Sequence, residues 1–176
     1  MILTGEKSSR KIGRGLNRSG RIRLKGDPMD EKKFKEIIKF AIQREIESID
    51  FYTKASQMVK YSGTKELFLD FMKQEEGHKK KLEDVNTGKI ALGKIEKIPN
   101  LKISDYLVEG ELKPDISYAE ILRIGMKREE RSVELYTDLK EKNQNEGLNN
   151  LFTLLIQEES KHKYSLEKLY DDDVLK

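Results

Sequence analysis

The chain has 176 residues, 35 Lys or Arg against 32 Asp or Glu for a formal charge of +3, with 38% charged and 7% aromatic residues. That length supports one sizeable core, and abundant Lys, Glu, Ile and Leu with only three prolines favours soluble helices. The lack of cysteine excludes disulfides, thiolate metal sites and iron-sulfur or rubredoxin-type centres; no apolar run approaches the ~20 residues of a membrane span and no apolar-centred secretory leader is visible, so the expected compartment is the cytoplasm.

Residues 1–28 differ in kind from the rest of the chain. Lys7, Arg10, Lys11, Arg14, Arg18, Arg21, Arg23 and Lys25 stand against Glu6 and Asp27, a local charge of +6 that leaves the remainder at −3. Five glycines and few apolar residues cannot bury enough surface to offset ordering entropy, so the segment reads as a disordered basic extension. It suits a phosphate-binding tail, a targeting leader, or a stretch outside the native protein with Met29 as the true start. The last reading is preferred, and nucleic acid is not an expected partner.

From Asp30 to about Lys60, Phe34, Ile37, Ile38, Ala41, Ile42, Ile49, Tyr52, Ala55 and Val59 recur at helical spacing, with Glu45 inside the stripe. Tyr61-Ser62-Gly63-Thr64 reads as a turn with a stop glycine and a Thr cap. A second helix then runs to about Asn86 on Leu67, Phe68, Phe71, Met72, Leu82 and Val85, with Glu75 and His78 between them. So short a connection makes the two helices antiparallel neighbours.

Gly88, Gly93, Pro99, Gly110 and Pro114 interrupt residues 87–116, which leaves room only for a short helix around Ser104 to Val108. Such a segment reaches ~90 Å when extended, against ~40 Å for a 26-residue helix, so it can cross the whole length of a bundle. Ser117-Tyr118-Ala119-Glu120 is a capping box that opens a third helix to about Lys142. Its stripe is Ile121, Leu122, Met126, Val133, Tyr136 and Leu139, with Glu129 among them. After the turn Asn143 to Gly147, a fourth helix from Leu148 to about Tyr170 packs Leu151, Phe152, Leu155, Ile156, Leu166 and Leu169, and Glu159 and His162 share that stripe. Residues 171–176 read as an acidic, solvated tail. The fold class is therefore an all-α, antiparallel four-helix bundle with a long crossover between helices 2 and 3.

The two histidines of the chain lie 84 residues apart, and each follows a glutamate by three: Glu75 with His78, Glu159 with His162. In a helix that spacing sends both side chains out of one face. Sliding the sequence along itself by the same 84 residues matches Glu36 with Glu120, Arg44 with Arg128, Glu45 with Glu129, Ser48 with Ser132, Tyr52 with Tyr136, Phe68 with Phe152 and Leu82 with Leu166. The bundle is a duplicated helical hairpin.

Four glutamates and two histidines are thus expected to face the core from four helices. A buried carboxylate without a partner costs several kcal/mol, so a positive charge must offset it. No Lys or Arg stands in the stripes at those levels, and Arg44 and Arg128, about 100° round from Glu45 and Glu129, point elsewhere. Two divalent cations balance the four carboxylates, and the imidazoles add nitrogen donors. Glu76 and Glu158 lack the phase of the stripe and read as surface. On a charged helix surface Glu-x-x-His would mean little; its place in an apolar stripe argues for metal.

These residues resemble the ferritin-like di-iron carboxylate proteins, and within them the rubrerythrin-like branch, over residues 30–170. One Glu from each of two helices and Glu-x-x-His from each of the other two is that family's motif, and Glu45, Ser48, Tyr52 and Glu129, Ser132, Tyr136 follow its pattern of a small residue three on and Tyr seven on. The resemblance implies that Glu75 and Glu159 bridge two iron (or manganese) ions, that Glu45 and Glu129 are terminal ligands, and that His78 and His162 each cap one ion. Tyr52 and Tyr136 would orient carboxylates from behind, the alternative being ordinary core aromatics. It further implies an oxidoreductase acting on dioxygen or hydrogen peroxide, by peroxide reduction or iron oxidation. The partners would be that small-molecule oxidant, an external electron donor and, in a homodimer, a second copy of the chain. The sequence departs from rubrerythrins in two places: Ser132 stands where they carry a further Glu, and their cysteine-ligated iron module is absent. The alternatives are a protein that binds or senses metal without turnover and a structural bundle.

Overall fold

The computed structural model describes residues 28–89, 106–108, 110–142 and 145–175, with side chains from residue 32 onward. Four helices account for nearly all of them: α1 (Pro28–Met58), α2 (Ser62–Asn86), α3 (Tyr118–Glu141) and α4 (Glu146–Asp173). The described residues contain no strand. The expected basic extension, residues 1–28, lies outside them except for Pro28, the first residue of α1.

Local chemistry ends the helices. Past Asn86, Gly88 takes φ 77°, which L side chains rarely adopt. That turn lets the Gly88 and Lys89 amides donate to Val85 and Asp84 carbonyls, so the last turn of α2 keeps its hydrogen bonds. Ser117 accepts from the Glu120 amide while the Glu120 carboxylate accepts from the Ser117 amide, the reciprocal cap expected for α3. Asn145 accepts from the Leu148 amide and starts α4.

Several boundaries differ from the sequence reading. Gly63 and Thr64 do not form a stop and a cap but lie inside α2, which begins at Ser62 after an extended Tyr61 that caps nothing with its side chain. Thr64 is buried instead, with its hydroxyl 3.4 Å from that of Tyr118. The acidic tail is also shorter than expected, because α4 continues through Asp173, whose carboxylate accepts from the Tyr118 hydroxyl at 3.0 Å. The expected short helix at Ser104 to Val108 falls mostly outside the described residues, and Leu107 and Val108 are not helical.

Each hairpin packs on itself, α1 against α2 and α3 against α4, and the two meet along α1–α3 and α2–α4. Cross-helix pairs give the direction: Glu45 meets Tyr136 while Tyr52 meets Glu129, so α1 and α3 are antiparallel. His78 meets Glu158 while His162 meets Gln74, so α2 and α4 are as well. The end of α2 and the start of α3 therefore lie at opposite ends of the bundle, as the expected crossover requires. Its described part follows the α1–α3 seam: Tyr106 is buried and donates to Asp138 at 2.6 Å, and Leu112 and Ile116 pack against the far end.

The core comes in two apolar layers. One gathers Phe34, Ile38, Leu82, Leu139, Leu148 and Phe152; the other gathers Phe51, Tyr52, Phe68, Phe71, Leu122 and Leu166. Burying each such side chain contributes roughly 1.5–3 kcal/mol. Phe51, Leu135 and Leu148 are fully part of it although the sequence stripes omitted them, while Met126 and Val133 are only half-buried. Between the layers, at one level in all four helices, lies a band of polar side chains.

Candidate metal centre

That band holds Glu45, Glu75, His78, Glu129, Glu159 and His162, each about 1% exposed. One stands on α1, one on α3, and a Glu-His pair on each of α2 and α4, because the three-residue spacing keeps both members on the inner face. They form two overlapping sets, each with its ligand-type atoms within 4.8 Å of one another: Glu45, Glu75, His78 and Glu159, and Glu75, Glu129, Glu159 and His162.

The overlap is specific to the atom. Around His78 Nδ1 lie Glu75 Oε2 at 2.9 Å, Glu159 Oε1 at 2.9 Å and Glu45 Oε2 at 3.6 Å. Around His162 Nδ1 lie Glu75 Oε1 at 3.0 Å, Glu159 Oε2 at 3.4 Å and Glu129 Oε2 at 3.7 Å. Glu75 and Glu159 thus give one oxygen to each set, whereas Glu45 and Glu129 serve one each. The 84-residue offset maps one set onto the other, so the duplication has become a two-fold pseudo-symmetry at the site.

Further groups hold these side chains from behind. The Tyr52 hydroxyl donates to Glu129 and the Tyr136 hydroxyl to Glu45, each across the α1–α3 seam and each from a fully buried ring. Phe71 stacks on the His162 imidazole with ring centres 4.2 Å apart. Arg44 and Arg128 turn away from the band, their guanidinium groups 5.1 Å from the Phe40 and Phe51 ring centres. Ser48 and Ser132 are buried beside it.

One expectation fails. Glu158 is not a surface residue without a role, since its carboxylate lies 2.7 Å from His78 Nε2 and its side chain is 27% exposed. The two helices approach closely enough there for a residue at the edge of the stripe to reach across. The repeat offered a signal, for the offset pairs Glu158 with Gln74, which stands 3.1 Å from His162 Nε2. Glu76, by contrast, is exposed.

Crowded carboxylates redistribute protons. Burial, then Glu159 and Glu75, push Glu45 well above the usual carboxylate range, and burial with Glu159 pushes Glu129 up to about 8. Burial also opposes ionisation of Glu75 and Glu159, but the adjacent His162 and His78 imidazoles outweigh it and their pKa falls. Burial opposes charging His78 too, yet the surrounding Glu159, Glu45 and Glu75 hold its pKa far above the ordinary value; for His162, Glu129, Glu159 and Glu75 do the same, up to about 12. Tyr52 and Tyr136 rise by burial and by the carboxylates they face.

The donor set fits divalent cations. Glu75 Oε1, both oxygens of Glu159 and His162 Nδ1 are buried without a hydrogen-bond partner, and all face the same small volume. Orphaned buried lone pairs of this kind cost free energy unless something positive meets them. Four carboxylates and two imidazoles in two sets suit iron, manganese or zinc rather than the all-oxygen surroundings of calcium or magnesium.

Residues 36–170 match the rubrerythrin family model. The chain belongs to the rubrerythrin family. Two solved structures share the fold of this rubrerythrin-family chain. A hypothetical protein from Pyrococcus furiosus is 24% identical with a TM-score of 0.63, over 82% of this chain and 92% of that one. A putative ferritin-like diiron-carboxylate protein from Thermotoga maritima is 23% identical, also at 0.63, over 80% of this chain and 95% of that one. No curated protein matches. The bundle is ferritin-like, and no described helix is long and apolar enough to cross a membrane.

Proposed function

We propose that this chain is a di-iron, or di-manganese, carboxylate oxidoreductase that reacts with dioxygen or hydrogen peroxide. The observation that carries the reading is the shared pair, Glu75 and Glu159, each with one oxygen in either ligand set. When bound, the two metal ions supply two electrons to the oxidant.

The chain's own residues do the rest. Glu75 and Glu159 span the two positions and set their separation, Glu45 and Glu129 each close one, and His78 and His162 present Nδ1. Tyr52 and Tyr136 keep the terminal carboxylates aimed inward by donating to them. The apolar layers above and below exclude bulk water, which strengthens every charge interaction between them. Glu129 and Glu45, whose pKa values burial raises, can hold protons at carboxylate oxygens beside the reacting atoms. An external donor would supply the electrons, since these 176 residues contain no cysteine to ligate an iron centre. Iron oxidation is a variant of the same chemistry.

Metal analysis of gently purified or anaerobically reconstituted protein should give about two iron or manganese ions per chain. Glu75→Ala should abolish binding of at least one ion, since it removes a donor from both sets, and His78→Ala should weaken one position. After reduction, peroxide should restore the absorption of the oxidised protein. Wild-type protein that takes up no metal would sink the reading; protein that takes up metal which neither oxidant reoxidises would be a binding or sensing protein.

A further inference from the structure

The relation that pairs every ligand fails one residue before each shared glutamate, where α4 carries Glu158 and α2 carries Gln74. Both residues sit on the α2–α4 seam and both meet the outer nitrogen of a histidine, yet one is an anion and the other a neutral amide. His78 Nε2 lies 2.7 Å from Glu158 Oε2, and Lys81 Nζ reaches the same oxygen at 3.3 Å from the solvent side. His162 Nε2 lies 3.1 Å from Gln74 Oε1, and the Gln74 amide nitrogen donates to Asp70 at 2.8 Å, which turns its carbonyl oxygen to the imidazole.

For a histidine to offer the Nδ1 lone pair inward, its proton must sit on Nε2, and the acceptor there decides how strongly the ring donates. A hydrogen bond to a carboxylate is about twice as strong as one to a neutral carbonyl. It also brings negative charge closer to the ion. We propose that Glu158 makes the two metal positions inequivalent, so that a divalent cation binds more tightly beside His78 than beside His162. Glu158 is a positioning residue, acting through the imidazole rather than on the ion. This inference rests on the metal-binding reading above.

Zinc is the probe, because it binds such donors without redox chemistry. Calorimetric titration of metal-free full-length protein with Zn²⁺ should resolve two steps of unequal affinity. Glu158→Gln, which preserves shape, should weaken the tighter step by roughly 10-fold or more and bring the two together. Glu76→Gln removes the same charge from an exposed position nearby and should leave both steps as they are. Gln74→Glu should tighten the weaker step. With only two histidines in the chain, long-range proton-nitrogen NMR of the zinc-loaded protein should show two imidazoles protonated at Nε2, and Glu158→Gln should shift the proton of one of them. Two equal steps in the wild type, or a Glu158→Gln titration that matches Glu76→Gln, overturns the inference while leaving metal binding intact. No zinc binding at all overturns the underlying reading as well.

Discussion

Protons set the charge of the buried ligands. Burial chiefly raises the pKa of Glu45 and Glu129, the latter to about 8, and the carboxylates around His78 and His162 raise theirs. Divalent cations compete with protons for these atoms, so uptake should release protons near pH 7, and apparent affinity should rise with pH. Calorimetry in buffers of different ionisation enthalpy measures the release directly; a value near zero would contradict this charge arrangement. The tyrosines offer a second test at the same scale. Tyr52→Phe or Tyr136→Phe leaves the ring and its packing but takes a donor from Glu129 or Glu45, which should cost about 1–2 kcal/mol in metal-free denaturation. An ordinary core aromatic, buried for its ring alone, would lose almost nothing on this change.

At the scale of the element, the helices are started and stopped by local chemistry and held in register by distant partners. Ser117→Ala removes one half of the reciprocal cap of α3 and should destabilise the protein by about 1 kcal/mol, read as a lower denaturation midpoint with an unchanged slope. Metal stoichiometry should not change, because Ser117 is roughly three helical turns from Glu129. The start of α2 shows how a local reading goes astray. Gly63 and Thr64 have the composition of a turn, but Thr64 is drawn into the interface with Tyr118 of α3, and burial there outweighs its preference for a cap. Asp173 is similar: the Tyr118 hydroxyl gives the end of α4 a partner and prolongs the helix.

For the whole molecule, the polar band is a fault line when no metal bridges it. A carboxylate whose folded pKa is raised loses stability as pH climbs from its unfolded value to its folded one, because the unfolded chain ionises first. For Glu129 that window runs from about 4.5 to about 8, and the raised histidines add their loss above about 6.5. Glu75 and Glu159, whose values are lowered, act the other way and lose their contribution as pH falls below the usual carboxylate range. The metal-free protein should therefore melt at a lower temperature at pH 9 than at pH 6. Each ion present at a hundred times its Kd should raise Tm by about 5–10 °C, and this gain should grow with pH. Equal melting temperatures with and without metal would count against the centre. What the sequence determined by itself was whatever depends on spacing along one helix: four amphipathic segments, their duplication, and which face Glu45, Glu75, His78, Glu129, Glu159 and His162 share. Only the tertiary structure decided which oxygen meets which nitrogen, that Tyr52 serves Glu129 and Tyr136 serves Glu45, and that Glu158 and Gln74 stand behind different histidines. Those pairings depend on how far one helix slides and turns against another, a quantity set by the packing of the apolar layers and written in no single stretch of chain.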